Sequence, residues 1–117
     1  MKAKTEAEHF LRELPYEQWL TTGRMMVPKG IHISRISNLE ELEWTMRPTA
    51  KTLVAMRFDN LEKWLRESIG DNYFADEVKK IREKEGISYV ECSKLIHEAI
   101  LSRVTHLKNI SQGVNDV

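Results

Sequence analysis

The groups in this 117-residue chain that could carry acid–base, nucleophilic or metal chemistry are four histidines, one cysteine and eighteen carboxylates. The histidines are His9, His32, His97 and His106. A metal site needs ligands that converge, commonly two on one helix face three or four residues apart. His97 and His106 are too far apart for that spacing. His97-Glu98-Ala99-Ile100-Leu101 begins like a zinc-protease helix, but Leu101 stands where the second histidine is required. The histidines read as surface residues of amphipathic helices, and neither a metal nor a cofactor is expected. A catalytic Cys92 would need a depressed pKa and a partnering base. His97 is off its helical face, so Cys92 reads as a buried structural thiol. The carboxylates fall mostly in first turns and on outer faces, with Glu40, Glu62 and Glu91 at capping-box positions. No Gly-rich phosphate loop, nucleophile elbow or dinucleotide fingerprint occurs. These patterns point away from an enzyme.

A second set of residues could make contacts instead. Six basic residues lie between Arg24 and Arg57: Arg24, Lys29, Arg35, Arg47, Lys51 and Arg57. The three acidic residues among them all fall on a helix opened by Ser37. With Trp19 and Trp44 nearby, Arg24, Arg35, Trp44, Arg47, Lys51 and Arg57 form a candidate face for RNA or an acidic partner. Trp44, beside polar neighbours, is either a contact anchor or a ring closing the core rim. Opposing a nucleic-acid role, eighteen basic residues balance eighteen acidic ones. Non-specific nucleic-acid binding by the whole surface depends on phosphate neutralisation and is disfavoured at zero net charge. The same neutrality removes a brake on self-association.

The elements that would position these residues follow from periodicity and punctuation. The stretch Asp59 to Ile81 is expected to organise the chain as two helices with one joint. Leu61, Trp64, Leu65 and Ser68, with Ile69 close by, share one face; Phe74, Ala75, Val78 and Ile81 share the next. Asp59 and Asp71 stand at N-caps and Gly70 at a helix stop. Residues 5–14 read as a helix capped by Thr5 and stopped by Pro15. Residues 16–36 read as two or three short strands, with turns at Thr21-Thr22-Gly23 and Pro28-Lys29-Gly30. Ile31 and Ile33 fall on one strand face, and His32, Ser34 and Ile36 on the other. Ser37 to Glu40 opens a helix that buries Leu39, Leu42 and Met46 and turns Glu40, Glu41 and Glu43 to water; Pro48 ends it. Residues 52–58 read as a strand, and the strand–helix–strand order from 31 to 58 suggests a parallel crossover. Ser88 to Glu91 opens the longest helix, about 89–108, whose stripe includes Tyr89, Cys92, Ile96, Ala99, Ile100, Val104 and Leu107.

Composition bounds the rest. The apolar fraction is 41% and the charged fraction 31%, as in a globular domain rather than a disordered chain. A single cysteine allows no intrachain disulfide and fits a reducing compartment. MKAKTEAEHF has no apolar signal-peptide core, and no apolar run approaches the ~20 residues that span a bilayer. A cytoplasmic protein without membrane association is expected.

Two resemblances follow from these residues. Arg82-Glu83-Lys84-Glu85-Gly86-Ile87-Ser88, followed by Glu91, resembles the first half of a repressor-type helix-turn-helix. The second tight turn of that motif is missing, because the pattern runs from Ser88 to Leu107 without Gly or Pro. The order Leu14-Pro15, Thr22-Gly23-Arg24, Ile36 to Leu42, then Trp64-Leu65-Arg66 with Gly70-Asp71 and Ala75 resembles a small prokaryotic, often archaeal, family of unknown function. The likeness spans roughly residues 10–105. Members carry a Tyr-His or Phe-His pair before the Trp helix, where this chain has Ala55-Met56. The resemblance implies a shared fold and no reaction.

The expected architecture is one α+β domain over residues 1–117, with an ordered core at 5–110 and a frayed tail at 111–117. A small sheet of two to four short strands would be surrounded by four or five helices. The expected function is a non-enzymatic binding or regulatory module that self-associates, most simply as a homodimer, through Ile96, Ile100, Val104 and Leu107. The alternative is a nucleic-acid-binding accessory protein using the Arg24–Arg57 face.

Overall fold

The computed structural model describes residues 2–26, 30–48 and 52–112. Helix α1 (Lys2–Leu11) is followed by a single 3₁₀ turn (Tyr16–Gln18), strands β1 (Leu20–Met26) and β2 (Gly30–Ile36), helix α2 (Leu39–Met46) and strand β3 (Thr52–Ala55). Helix α3 (Phe58–Trp64) runs directly into a π-helical turn (Leu65–Ile69). Helices α4 (Asn72–Arg82) and α5 (Tyr89–Gln112) complete an α+β fold with a helix-rich C-terminal half.

The sheet order is β2-β1-β3, and β1 is antiparallel to both neighbours. The strands flanking α2 therefore point the same way but do not pair. The expected parallel pairing is corrected by the insertion of β1 between them, which lets every ladder be antiparallel. Gly23 does not turn the chain. It sits inside β1, opposite Ile33 on one side and Ala55 on the other. Pairing on both edges outweighs the local turn preference of Thr-Thr-Gly. The reversal falls between Met26 and Gly30, which are register partners, and Gly30 has φ +88°. The Pro28-Lys29 half of that turn lies outside the described residues.

Alternation fixes which sheet face is covered. Leu20, Thr22, Ile36 and Val54 are buried, whereas Thr21, Ile33 and Arg35 are exposed. Helix α2 packs against β2 and β3, and also against α5. Helix α5 touches α1, α2 and α4, and so takes the organising role expected of Asp59 to Ile81. Its stripe of Ile96, Ile100, Val104 and Leu107 joins Leu39, Leu42, Leu61, Leu65, Ile69, Phe74 and Val78 in one core.

Local punctuation explains the helix ends. Helix α1 begins before Thr5, so Thr5 is an interior residue and not a cap. Asn38, not Ser37, caps α2: its side chain accepts the Glu41 N–H at 2.9 Å, and Glu41 Oε1 accepts the Ser37 N–H at 2.8 Å. This is the expected capping box moved by one residue, because Asn serves as well as Ser at that position. Helix α3 starts one residue before Asp59, leaving Asp59 in the first turn, where its charge suits the helix dipole. Ser88 Oγ accepts the Glu91 N–H at 3.1 Å as expected, and α5 runs on to Gln112.

The joint between α3 and α4 is closed by a wide turn. The Gly70 N–H donates to Leu65 O at 2.9 Å, five residues back, and Gly70 has φ +87°. The extra residue in this turn brings Ile69, rather than Ser68, fully into the core. Arg12 follows α1 and donates to Ser68 O at 2.6 Å and Ile69 O at 3.1 Å. A guanidinium thus satisfies carbonyls that the helix end leaves without amide partners.

Candidate functional site

Two clusters of titratable side chains lie inside the helical layer. In the first, Glu43 of α2 is only 5% exposed. Arg47, one turn later, donates to it through Nε at 2.5 Å and through an Nη at 2.7 Å. His97 Nε2 of α5 lies 2.9 Å from Glu43 Oε2. The Arg47 hydrogen bonds hold the Glu43 carboxyl below the usual carboxylate range; burial opposes this, and His97 reinforces it. An ionised carboxylate can only accept, so Nε2 of His97 must carry the proton in this contact.

This cluster corrects two sequence expectations. Glu43 does not face water, and His97 is not a surface histidine, since its side chain is 12% exposed. The signal was present in the spacing. Leu39, Leu42, Glu43 and Met46 follow the i, i+3, i+4, i+7 pattern of a buried helix face, and all four are buried. Ser93, Ile96 and Ile100 likewise bracket His97 on α5.

In the second cluster Asp71 is 1% exposed. It caps α4 by accepting the Phe74 N–H at 3.1 Å. It also accepts from Arg103 Nε at 2.8 Å and from an Arg103 Nη at 3.1 Å. The Arg103 guanidinium lies 5.8 Å from the Phe10 ring centre and 5.4 Å from that of Tyr73. Arg103 therefore ties α1, α4 and α5 together at one carboxylate. An open groove of about 590 Å³ runs beside it, lined by Glu6, Tyr73, Glu77, Ser102, Arg103 and His106. The Asp71 cap is legible in the sequence. Its partner is 32 residues away and is not.

Among the described residues, no group of three His, Cys, Asp or Glu side chains converges as a metal site. Cys92 is buried, and burial pushes its thiol pKa up, which suits packing and opposes reactivity.

Among the described residues, the candidate contact side chains differ in how free they are. Arg35 is exposed on the open side of the sheet. Arg47 is held by Glu43, and its guanidinium lies 4.8 Å from the Trp44 ring centre. Arg57 is paired with Asp59 at 2.8 Å. Arg24 is described by its backbone, which pairs with His32 and Val54. Lys51 lies outside the described residues. Trp44 is 63% exposed, so it does not close the core rim. It borders a concavity with Asn38, Glu40, Glu41 and Thr45. Trp19 and Trp64 are packed, their indole N–H groups donating to Leu14 O at 2.7 Å and Gln18 O at 2.8 Å.

The residues expected to mediate self-association are corrected by their burial. Ile96 and Ile100 are 0% exposed, Val104 6% and Leu107 3%. Helices α1, α2 and α4 consume this stripe within the chain, so it is closed to a second copy.

No helix among the described residues is long and apolar enough to cross a membrane. Compared with protein-family models, curated proteins and solved structures, the chain matches none of them.

Proposed function

We propose that this chain is a non-enzymatic binding module that self-associates. The observation that carries the reading is a contrast in how polar and apolar groups are placed. The buried carboxylates Glu43 and Asp71 are already bonded to basic partners inside the fold. Large apolar side chains stand outside it: Trp44 and Ile33 are each 63% exposed, Tyr16 66% and Tyr73 67%. Exposed aromatic side chains are typical anchors of protein contacts. A net charge of zero offers no repulsion between copies. Sedimentation velocity across the micromolar range tests this, with a concentration-dependent dimer expected. A monomer persisting at high micromolar concentration would overturn it.

The second reading is a nucleic-acid contact, and Arg35 favours it, because it has no carboxylate partner among the described residues. A steep loss of RNA or DNA affinity with added salt would support that reading. Absence of binding at low salt would remove it.

A further inference from the structure

The two edges of the sheet are finished differently. At the β3 edge, the Tyr89 hydroxyl accepts the Met56 N–H at 3.0 Å and donates to Val54 O. The Tyr89 ring stacks on Phe58 at 5.2 Å, which fixes the hydroxyl in place. A side chain therefore takes up the backbone groups that a further strand would use. The strand at that edge is also only four residues long.

The β2 edge has neither device. All seven residues from Gly30 to Ile36 pair with β1 on one side. Besides β1 and α2, no element packs extensively on β2 among the described residues. The nearby backbone bond from Leu14 N–H goes to Ser37 O, beyond the end of the strand. β2 contains no proline, lysine or acidic residue, and of the usual edge-blocking groups it carries only Arg35, near its end. In an antiparallel ladder, alternate residues direct their N–H and C=O groups away from the existing partner. Among the described residues, these outward groups have strand geometry and no strand to pair with.

We infer that a second copy of this chain supplies that strand, with the two β2 edges pairing antiparallel about a two-fold axis at Ile33 to give one continuous six-stranded sheet. The inference rests on the self-association proposed above and names its surface. The sequence of β2 suits the pairing. Centred on Ile33, the register sets this 63%-exposed side chain against its own copy on the open sheet face. Arg35 then lies opposite position 31 of the second copy, which keeps the two arginines four residues apart along the ladder. At ~3.4 Å per residue that is roughly 13 Å, beyond the screening length of about 8 Å in physiological salt. The pairing thus buries apolar surface and satisfies backbone groups while keeping like charges apart. The register works whether odd or even residues of β2 face outward, because a two-fold axis can pass through either kind of antiparallel pair.

The test uses the full chain. Ile33→Glu sets two carboxylates against each other at the centre of the pairing. It should weaken dimerisation roughly ten-fold or more in sedimentation velocity while leaving the circular dichroism spectrum unchanged. Ile33→Cys should give a covalent dimer on mild oxidation, whereas the wild type, with Cys92 buried, should not. Backbone hydrogen exchange of the wild type covers the case in which a variant fails to fold. Amides of β2 should exchange more slowly as protein concentration rises, and those of β3 should not change. A dimer that is indifferent to Ile33→Glu, yields no Ile33→Cys cross-link and leaves β2 exchange unchanged would overturn the edge pairing and leave self-association standing. A wild type that stays monomeric would overturn both.

Discussion

Glu43 and Asp71 are both buried carboxylates, both begin on other elements, and both end on α5, yet they differ in what holds them. Asp71 has a bidentate arginine and a backbone amide, none of which changes charge near neutral pH. Glu43 shares its charge between Arg47, whose side chain is 48% exposed, and His97. At Arg103, α5 is thus fastened by a buried ion pair beside two aromatic rings. Nearer its start, at His97, it is fastened to a carboxylate that acid can neutralise. A buried carboxylate is therefore not one kind of feature, because its partner decides whether it acts as a rivet or a latch.

Four substitutions and one titration would break or sharpen this contrast. Asp71→Ala should be the most damaging, because it removes the α4 cap and leaves Arg103 largely buried without its carboxylate. A loss of about 3–5 kcal/mol in urea unfolding is expected. Glu43→Gln should cost less, about 1–3 kcal/mol, since the amide keeps the volume and Arg47 can turn to water. Gly70→Ala tests the backbone that delivers Asp71. Its added Cβ would meet His9 Nε2 at an ordinary 3.8 Å, so the cost is the left-handed conformation, about 1–2 kcal/mol. Trp44→Ala should change stability by no more than about 0.5 kcal/mol, since the ring lies outside the core.

The titration reads Glu43 through the direction of its shift. The Glu43 carboxyl is held below its ordinary 4.5 in the folded chain. The stability it contributes is whole above that pH and drains away as pH falls through the lowered folded value. Glu62 behaves in the same direction: burial pushes its pKa up, but hydrogen bonds from Arg82 and Arg66 outweigh this. Unfolding midpoints measured from pH 7 down to pH 3 should therefore fall more steeply for the wild type than for Glu43→Gln. Equal acid slopes would show that Glu43 is not a latch.

What could be read from the sequence was mostly local. Asp71, Gly70, Ser88 and Pro48 announce themselves because a cap or a stop acts on neighbours within one turn. The α+β class and the long last helix follow from periodicity in the same way. The order of the strands was not legible, because a three-residue turn signal at Gly23 competes with two ladders contributed by distant segments. The interior position of Glu43 was legible in its spacing but masked by its charge, since the pattern and the residue type disagree. Arg103 with Asp71, and Tyr89 with the β3 edge, join residues more than thirty positions apart, and no local rule selects such partners. The surface was least legible of all. The α5 stripe is apolar enough for a partner, but the chain itself supplies three helices to cover it.

The packing of α1 on α5 carries a consequence for how the chain is made. Helix α1 is made before α5, yet α5 is its main partner. Until α5 emerges, α1 has only its smaller contacts with α2 and the π-helical turn, and Arg12 has no finished joint to clamp before α3 and that turn are made. Docking of α1 therefore waits for α5 and closes a loop spanning every element between them, which slows folding for so helical a chain.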